Sequence, residues 1–147
     1  PMPDDGADIL DLGCGYGAIA AVAARRGPST HVVAVDINER ARDLTARNAQ
    51  RSELSNIEVC SPSDVAADRA YDRIYSNPPI RIGKPALRAL LLHWLTRLRD
   101  DGIAYLVVGK HLGADSLATW LSGAGFAVER LAAKNSFRII TVTKEHR

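Results

Sequence analysis

Three glycines on alternate positions, Gly13, Gly15 and Gly17, separate an apolar run at residues 7–12 from an alanine-rich stretch at 18–26. Glycine tolerates positive φ and lets other groups approach the backbone closely, so this spacing suits a tight passage from a strand into a helix. The apolar run has the length of a buried strand, alanine favours the helix, and Gly27-Pro28 ends it. A strand that passes into a helix in this way opens a βα unit, and repetition of such units along the chain implies an α/β layout.

The remaining sequence continues that alternation. Residues 31–36 (HVVAVD) are β-branched and read as a second strand. Asn38 can cap a helix over 39–51 with Ala41, Leu44, Thr45 and Asn48 at helical spacing. Residues 57–60 form a third strand before a polar loop through Asp68, and 71–77 (YDRIYSN) a fourth that runs into Pro78-Pro79. Pro85 suits the first turn of a helix whose apolar face is Leu87, Leu91, Trp94 and Leu98, widened by Leu90 and Leu95. Asp101-Gly102 reads as the turn into a strand at 103–108, and a helix over 115–122 stops at Gly123 and Gly125. Strands at 126–131 and 136–143, joined by a turn at 132–135, close the chain as a hairpin. The expected fold is a doubly wound, mostly parallel sheet with an antiparallel member.

At 147 residues the chain fits one domain. Its net charge of +2 permits nucleic-acid binding without requiring it. Two cysteines, Cys14 and Cys60, supply neither a disulfide framework nor a four-ligand zinc site, and no metal is expected. Neither a membrane-length apolar run nor a signal-peptide pattern is present, so the expected setting is cytoplasmic and away from membranes.

In a doubly wound sheet, ligands sit outside the carboxyl ends of the strands. Asp11 precedes the glycines there, and Asp36 ends the next strand, where a carboxylate can accept hydrogen bonds from both hydroxyls of a ribose. Gly13, Gly15 and Ala18 also satisfy a dinucleotide fingerprint. Asp11 would repel a pyrophosphate, however, and the chain is short for a second, substrate-binding domain. S-adenosyl-L-methionine has an ammonium and a ribose but no phosphate, and it fits the charge pattern better than a nicotinamide cofactor. Asp64, in the loop after the third strand, can accept a hydrogen bond from an adenine amino group.

Asn77-Pro78-Pro79-Ile80 falls at the carboxyl end of the fourth strand, on the same edge. Each proline bars the preceding residue from helical geometry and contributes no N–H, leaving a rigid turn with free carbonyls. The side-chain oxygen of Asn77 and the carbonyl of Pro78 can accept both hydrogen bonds of one –NH2 group. That grip suits methyl transfer to an amine whose lone pair is delocalised into a ring or carbonyl, with Asn77 and Pro78 as the catalytic pair. Arg81, Lys84 and Arg88 follow as a basic rim for RNA phosphate. The arginines on the earlier helices, Arg42 among them, read as solvated faces. Lys110 and His111 fall on the functional edge, and Lys134 and Arg138 flank the hairpin turn as candidate substrate contacts. Trp94 and Trp120 read as packing residues, and Cys14 occupies a variable slot of the glycine loop without a nucleophilic role.

From DLGCGYGAI through VDIN, SD and SNPPIRIGK to KNSFRIITVTK, the chain resembles the class I S-adenosylmethionine-dependent methyltransferases, in particular the small-domain methyltransferases of the ribosomal RNA guanine-N2 type. The resemblance implies a Rossmann-like seven-stranded sheet with an antiparallel last strand. It implies that Asp11, Gly13, Cys14, Gly15 and Gly17 surround the methionine part of the cofactor, with Asp36 and Ile37 at the ribose and Asp64 at the adenine. Asn77, which would also line the cofactor site, and Pro78 would hold the target amine, with Pro79, Ile80, Arg81, Lys84 and Arg138 on the substrate side. S-adenosyl-L-homocysteine would be the product, and ribosomal RNA or a ribosomal subunit the partner. Many such relatives carry an aromatic residue at the fourth place of the tetrapeptide, able to stack on a base; Ile80 offers an apolar face instead. The expectation is a single domain over residues 1–147, without the leading segment of several dozen residues that helps close the site in such relatives. Other acceptors that suit the tetrapeptide are a protein amide or a small-molecule amine, and a further reading is a module that binds the cofactor without turnover.

Overall fold

The computed structural model describes residues 5–79, 82–109, 113–134 and 136–145. Among the described residues, seven strands and four helices follow one another as β1 (Asp8–Leu12), α1 (Ala18–Arg26), β2 (His31–Val35), α2 (Glu39–Arg51), β3 (Ile57–Cys60), β4 (Tyr71–Ser76), α3 (Lys84–Leu95), β5 (Leu98–Gly109), α4 (Ala114–Gly123), β6 (Phe126–Lys134) and β7 (Phe137–Lys144). A short 3-10 turn, Pro62–Asp64, interrupts the polar loop after β3. The sheet order is β3-β2-β1-β4-β5-β7-β6, and β7 runs antiparallel to both of its neighbours. This is the doubly wound, Rossmann-like sheet with an antiparallel last strand that the sequence pattern predicts.

Two apolar layers hold the helices on opposite faces. On one side Ala20, Ala23 and Ala24 of α1 pack on Ile9, Val32 and Ala34, alanine allowing the helix to lie close to the sheet. On the other, Leu87, Leu91, Trp94 and Leu95 of α3 and Leu117 and Leu121 of α4 cover Ile74, Leu106 and Ile140. Because α1 and α2 return the chain leftward and α3 and α4 rightward, the order reverses beside β1 and β4. That switch point is where such sheets accept ligands.

Three local expectations need correction. Leu98 is buried, but it opens β5 rather than extending α3. Residues 101–102 are not a simple turn into a later strand. Tyr71 pairs with Leu98 and Arg73 with Ile103, so β5 bulges between these two points. Gly102 suits this point, since a Cβ would lie a tight 3.0 Å from the carbonyl oxygens of both Tyr71 and Arg99. In the hairpin, pairing of Lys134 with Phe137 lengthens both strands and shrinks the expected four-residue turn, while a bulge falls between Arg130 and Ala132.

Candidate active site

The glycine loop leaves β1 beside the end of β2, where the N–H groups of Gly13 and Cys14 both donate to the Val35 carbonyl, at 2.8 and 3.0 Å. Gly13, Gly15 and Gly17 all have positive φ, at 76, 56 and 89°. At Gly13 and Gly15 a Cβ would project into open space. At Gly17 it would fall 2.7 Å from Cγ2 of Thr45, so that glycine is needed both for its backbone angle and for the contact with α2.

Gly17 has no side chain with which to cap α1. Asp11 does this from β1, its carboxylate accepting the N–H of Ala20 at 3.2 Å. Asp11 is only 2% exposed. Burial foremost pushes its carboxyl up to about 6; the Ala20 N–H opposes the rise and the nearby Asp36 adds to it. Asp11 therefore lies beneath the loop as a buried acid. The Cys14 thiol is also buried, which raises it to about 11 and leaves no thiolate at neutral pH.

Asp36 faces the loop from the end of β2. One carboxylate oxygen accepts the Gly15 N–H at 3.1 Å and the other the Asn38 N–H at 2.9 Å. Asn38 in turn caps α2 by accepting from Arg40 and Ala41. Arg42 is not simply a solvated face residue, because its guanidinium turns back to donate to the carbonyls of Asp36 and Ile37 at 2.8 and 3.1 Å.

Other positioning residues carried no local motif. Thr45 of α2 donates to the Gly15 carbonyl at 2.9 Å, and Asn48 donates to that of Tyr16 at 2.8 Å. The one signal for them was a polar pair three residues apart on the inner side of α2. Leu44, placed by the spacing on the same stripe, is 43% exposed. At the end of β4 the Ser76 hydroxyl donates to the Leu12 carbonyl at 3.1 Å, tying the two switch-point strands together.

These elements enclose a cleft of about 490 Å³. Gly13, Asp36 and Ile37 form one wall and Asn77 and Pro79 another, with Leu90 and Trp94 of α3 providing apolar surface. Trp94 is thus core and cleft wall together. Ile37 is 86% exposed on the rim. Pro78 is buried, and the Pro79 carbonyl accepts the Ile82 N–H at 3.2 Å. From the loop after β3 it is Pro62 that lines the cleft, while Asp64 is exposed beside it. Arg138 pairs with Val108 near the carboxyl end of β5, on the same edge. Lys84 lies in a neighbouring groove against α4. Ile80, Arg81, Lys110 and His111 lie outside the described residues, as does the side chain of Lys134. No described helix is long and apolar enough to cross a membrane.

The cleft fits S-adenosyl-L-methionine on physical grounds. Its volume lies within the range of about 300–1,000 Å³ typical of small-molecule sites. The open space beside Gly13 and Gly15 leaves room for a ligand against the backbone, Asp36 offers a carboxylate to hydroxyls, and Ile37, Pro62 and Leu90 offer apolar surface to a flat ring.

Comparison with known proteins agrees. The family model "Methyltransferase small domain" matches residues 2–141. Uncharacterized protein YbxB of Bacillus subtilis is 30% identical over 145 residues, covering 97% of this chain and 72% of that protein. Ribosomal RNA small subunit methyltransferase C of Actinobacillus succinogenes is 28% identical over 139 residues, 92% of this chain but 41% of its own length. Release factor glutamine methyltransferase of Rhodopirellula baltica is 40% identical over 75 residues, 48% of this chain and 25% of that protein. Among solved structures, the ribosomal protein L11 methylase of Lactobacillus delbrueckii subsp. bulgaricus superposes with a TM-score of 0.79 at 21% identity, over 97% of this chain and 72% of that one, and so shares the fold. The chain belongs to the methyltransferase small domain family, with S-adenosyl-L-methionine as its cofactor.

Proposed function

We propose that this chain methylates an exocyclic amine of RNA, with guanine N2 of ribosomal RNA as the acceptor. The observation that carries the reading is the placement of Asn77 and Pro79 in one cleft with Gly13 and Asp36. Asp36 takes the ribose hydroxyls of the cofactor, Asp64 the adenine amino group, and the glycine loop over buried Asp11 the methionine end. Bound S-adenosyl-L-methionine supplies an electrophilic methyl group on a sulfonium.

The Asn77 side-chain oxygen and the Pro78 carbonyl accept the two N–H bonds of the incoming amine. Fixing both bonds turns the nitrogen lone pair out of conjugation and toward the methyl, and the two acceptors stabilise positive charge as it grows on nitrogen. The proton leaves afterwards, so no strong base is required beforehand. Pro79, Ile80 and Arg138 belong to the substrate side. The similarity to a ribosomal RNA methyltransferase over 92% of this chain supports an RNA acceptor.

A second reading is transfer to a protein amide, supported by 40% identity over 75 residues to a release factor glutamine methyltransferase. The same two acceptors would grip a carboxamide –NH2. Transfer of a labelled methyl group to deproteinised ribosomal RNA, to intact ribosomal subunits and to a total protein fraction separates the two. Label recovered as N2-methylguanosine after nucleoside digestion is the expected result. Label at another exocyclic amine retains RNA and changes the base, whereas label in protein alone replaces the first reading with the second.

A further inference from the structure

A second concavity opens on the same edge of the sheet, on the far side of α3 from the cleft. It is shallow, about 70 Å³, floored by Leu87 and Leu117 and walled by Lys84 and Arg88 of α3 and Trp120 of α4. We infer that this groove is a phosphodiester clamp for the RNA strand adjoining the target nucleotide, with Lys84 and Arg88 gripping phosphate and Trp120 positioning Arg88. The inference rests on the RNA reading above.

Size and charge favour this occupant. The groove is small, about 70 Å³ against about 490 Å³ for the cleft, a scale that suits a phosphate group better than a stacked base. Lys84 and Arg88 are four residues apart and so share one helix face. No acidic side chain lines the groove among the described residues. The acid nearest on α4, Asp115, is paired with Arg130.

Arg88 is held in place. Its guanidinium carbon lies 5.2 Å from the ring centroid of Trp120. A guanidinium over an aromatic face is attracted to the ring, and its planar fork matches phosphate oxygens. The groove also opens where both helices begin, at Lys84 and after Gly113, so their positive ends add to the field. Leu87 and Leu117 give the groove an apolar floor beside these charges.

Position ties the groove to the reacting centre. Only five steps of chain separate Pro79 from Lys84, a span of at most about 18 Å. The two concavities share α3 as a wall, Leu90 and Trp94 facing the cleft and Lys84 and Arg88 the groove. A strand with its target base at Asn77 reaches the groove by continuing over the start of α3.

The test measures binding of a short fluorescein-labelled single-stranded RNA across a potassium chloride series, together with cofactor affinity and methyl-transfer kinetics on ribosomal RNA. Releasing two phosphate contacts, as in Lys84→Gln/Arg88→Gln, lowers the slope of log affinity against log salt by about 1.4 and raises KM for RNA about tenfold, with kcat less affected. Cofactor affinity stays at the wild-type value. Trp120→Leu weakens RNA binding at nearly unchanged slope, because the charge stays while its orientation is lost. Should the double variant fold poorly, Lys84→Gln alone still reports a slope change of about 0.7. Unaltered slope and KM in an enzyme that methylates RNA overturn the clamp and leave the proposed function standing. A wild-type enzyme that binds no RNA and methylates only protein overturns both.

Discussion

One carboxylate oxygen of Asp36 accepts the backbone N–H of Gly15 at 3.1 Å, so the acid after β2 grips the glycine loop before any ribose reaches it. With Asp36 also proposed to hold the ribose of the cofactor, loop shape and cofactor affinity are expected to depend on the same side chain. Asp36→Ala removes the acceptor for Gly15 and Asn38 together. We expect a loss of about 1–3 kcal/mol in stability and at least tenfold weaker cofactor binding, read by thermal melts and calorimetric titration. Asp36→Asn keeps an acceptor oxygen and should recover most of the stability but less of the affinity.

The buried carboxyl of Asp11 makes stability depend on pH in an unusual direction. Its pKa rises from 3.8 to about 6 on folding, so between those values the folded chain binds more protons than the unfolded one. Stability is greatest below about 4 on this account and falls as pH rises through about 6, by roughly 3 kcal/mol in all. Asp11→Asn retains an oxygen for the Ala20 N–H without the buried charge. Its melting temperature should exceed that of the wild type by about 5 °C or more at pH 8, with the gap closing toward pH 4, while cofactor affinity drops through loss of the charge.

Gly17 tests the contact between loop and helix. Gly17→Ala places a Cβ at φ 89° and 2.7 Å from Cγ2 of Thr45, and should cost about 2–4 kcal/mol. Trimming the neighbour as Thr45→Ser in the same chain removes the clashing methyl but keeps the hydroxyl that bonds Gly15. A double-variant cycle by denaturant unfolding should show the two changes to be strongly non-additive.

Asn77→Ala separates binding from chemistry. Its side chain is exposed on the cleft wall and sits at the end of β4, so truncation should leave the melting temperature within about 2 °C. Methyl transfer should fall by about 100-fold or more, with calorimetric cofactor affinity close to wild type. Equal loss of both would place Asn77 in cofactor binding alone.

The Cys14 thiol, raised to about 11 by burial, should resist alkylation by iodoacetamide at pH 8 in the native protein and react on unfolding. Cys14→Ala should keep methyl-transfer activity, which peptide mapping of the alkylated protein and a transfer assay can establish.

The bounds of α1, α2 and β3 were legible because each is set locally, by Gly27-Pro28, by the Asn38 cap and by short β-branched runs. The candidate site was legible for the same reason at Gly13, Asp36 and Asn77, which stand at strand ends within compact motifs. Residues 98–102 misled because Asp-Gly is a turn signal, whereas the close approach of Gly102 to the Tyr71 carbonyl exists only after β4 and β5 have paired. Thr45, Asn48 and Arg42 were missed as positioning residues for a related cause. Their partners are backbone carbonyls of other segments, and no spacing in the sequence records where a carbonyl will point.

The antiparallel insertion of β7 between β5 and β6 has a consequence for how the chain assembles. As synthesis proceeds from the first residue, β6 emerges ahead of the strand that must separate it from β5, and in the finished sheet it hydrogen-bonds to β7 alone. Docking β6 directly on β5 would be a wrong pairing that later has to be undone, because the strand that belongs between them is made last. A chain that stops short of Phe137 leaves the edge of β5 open to pairing with other molecules.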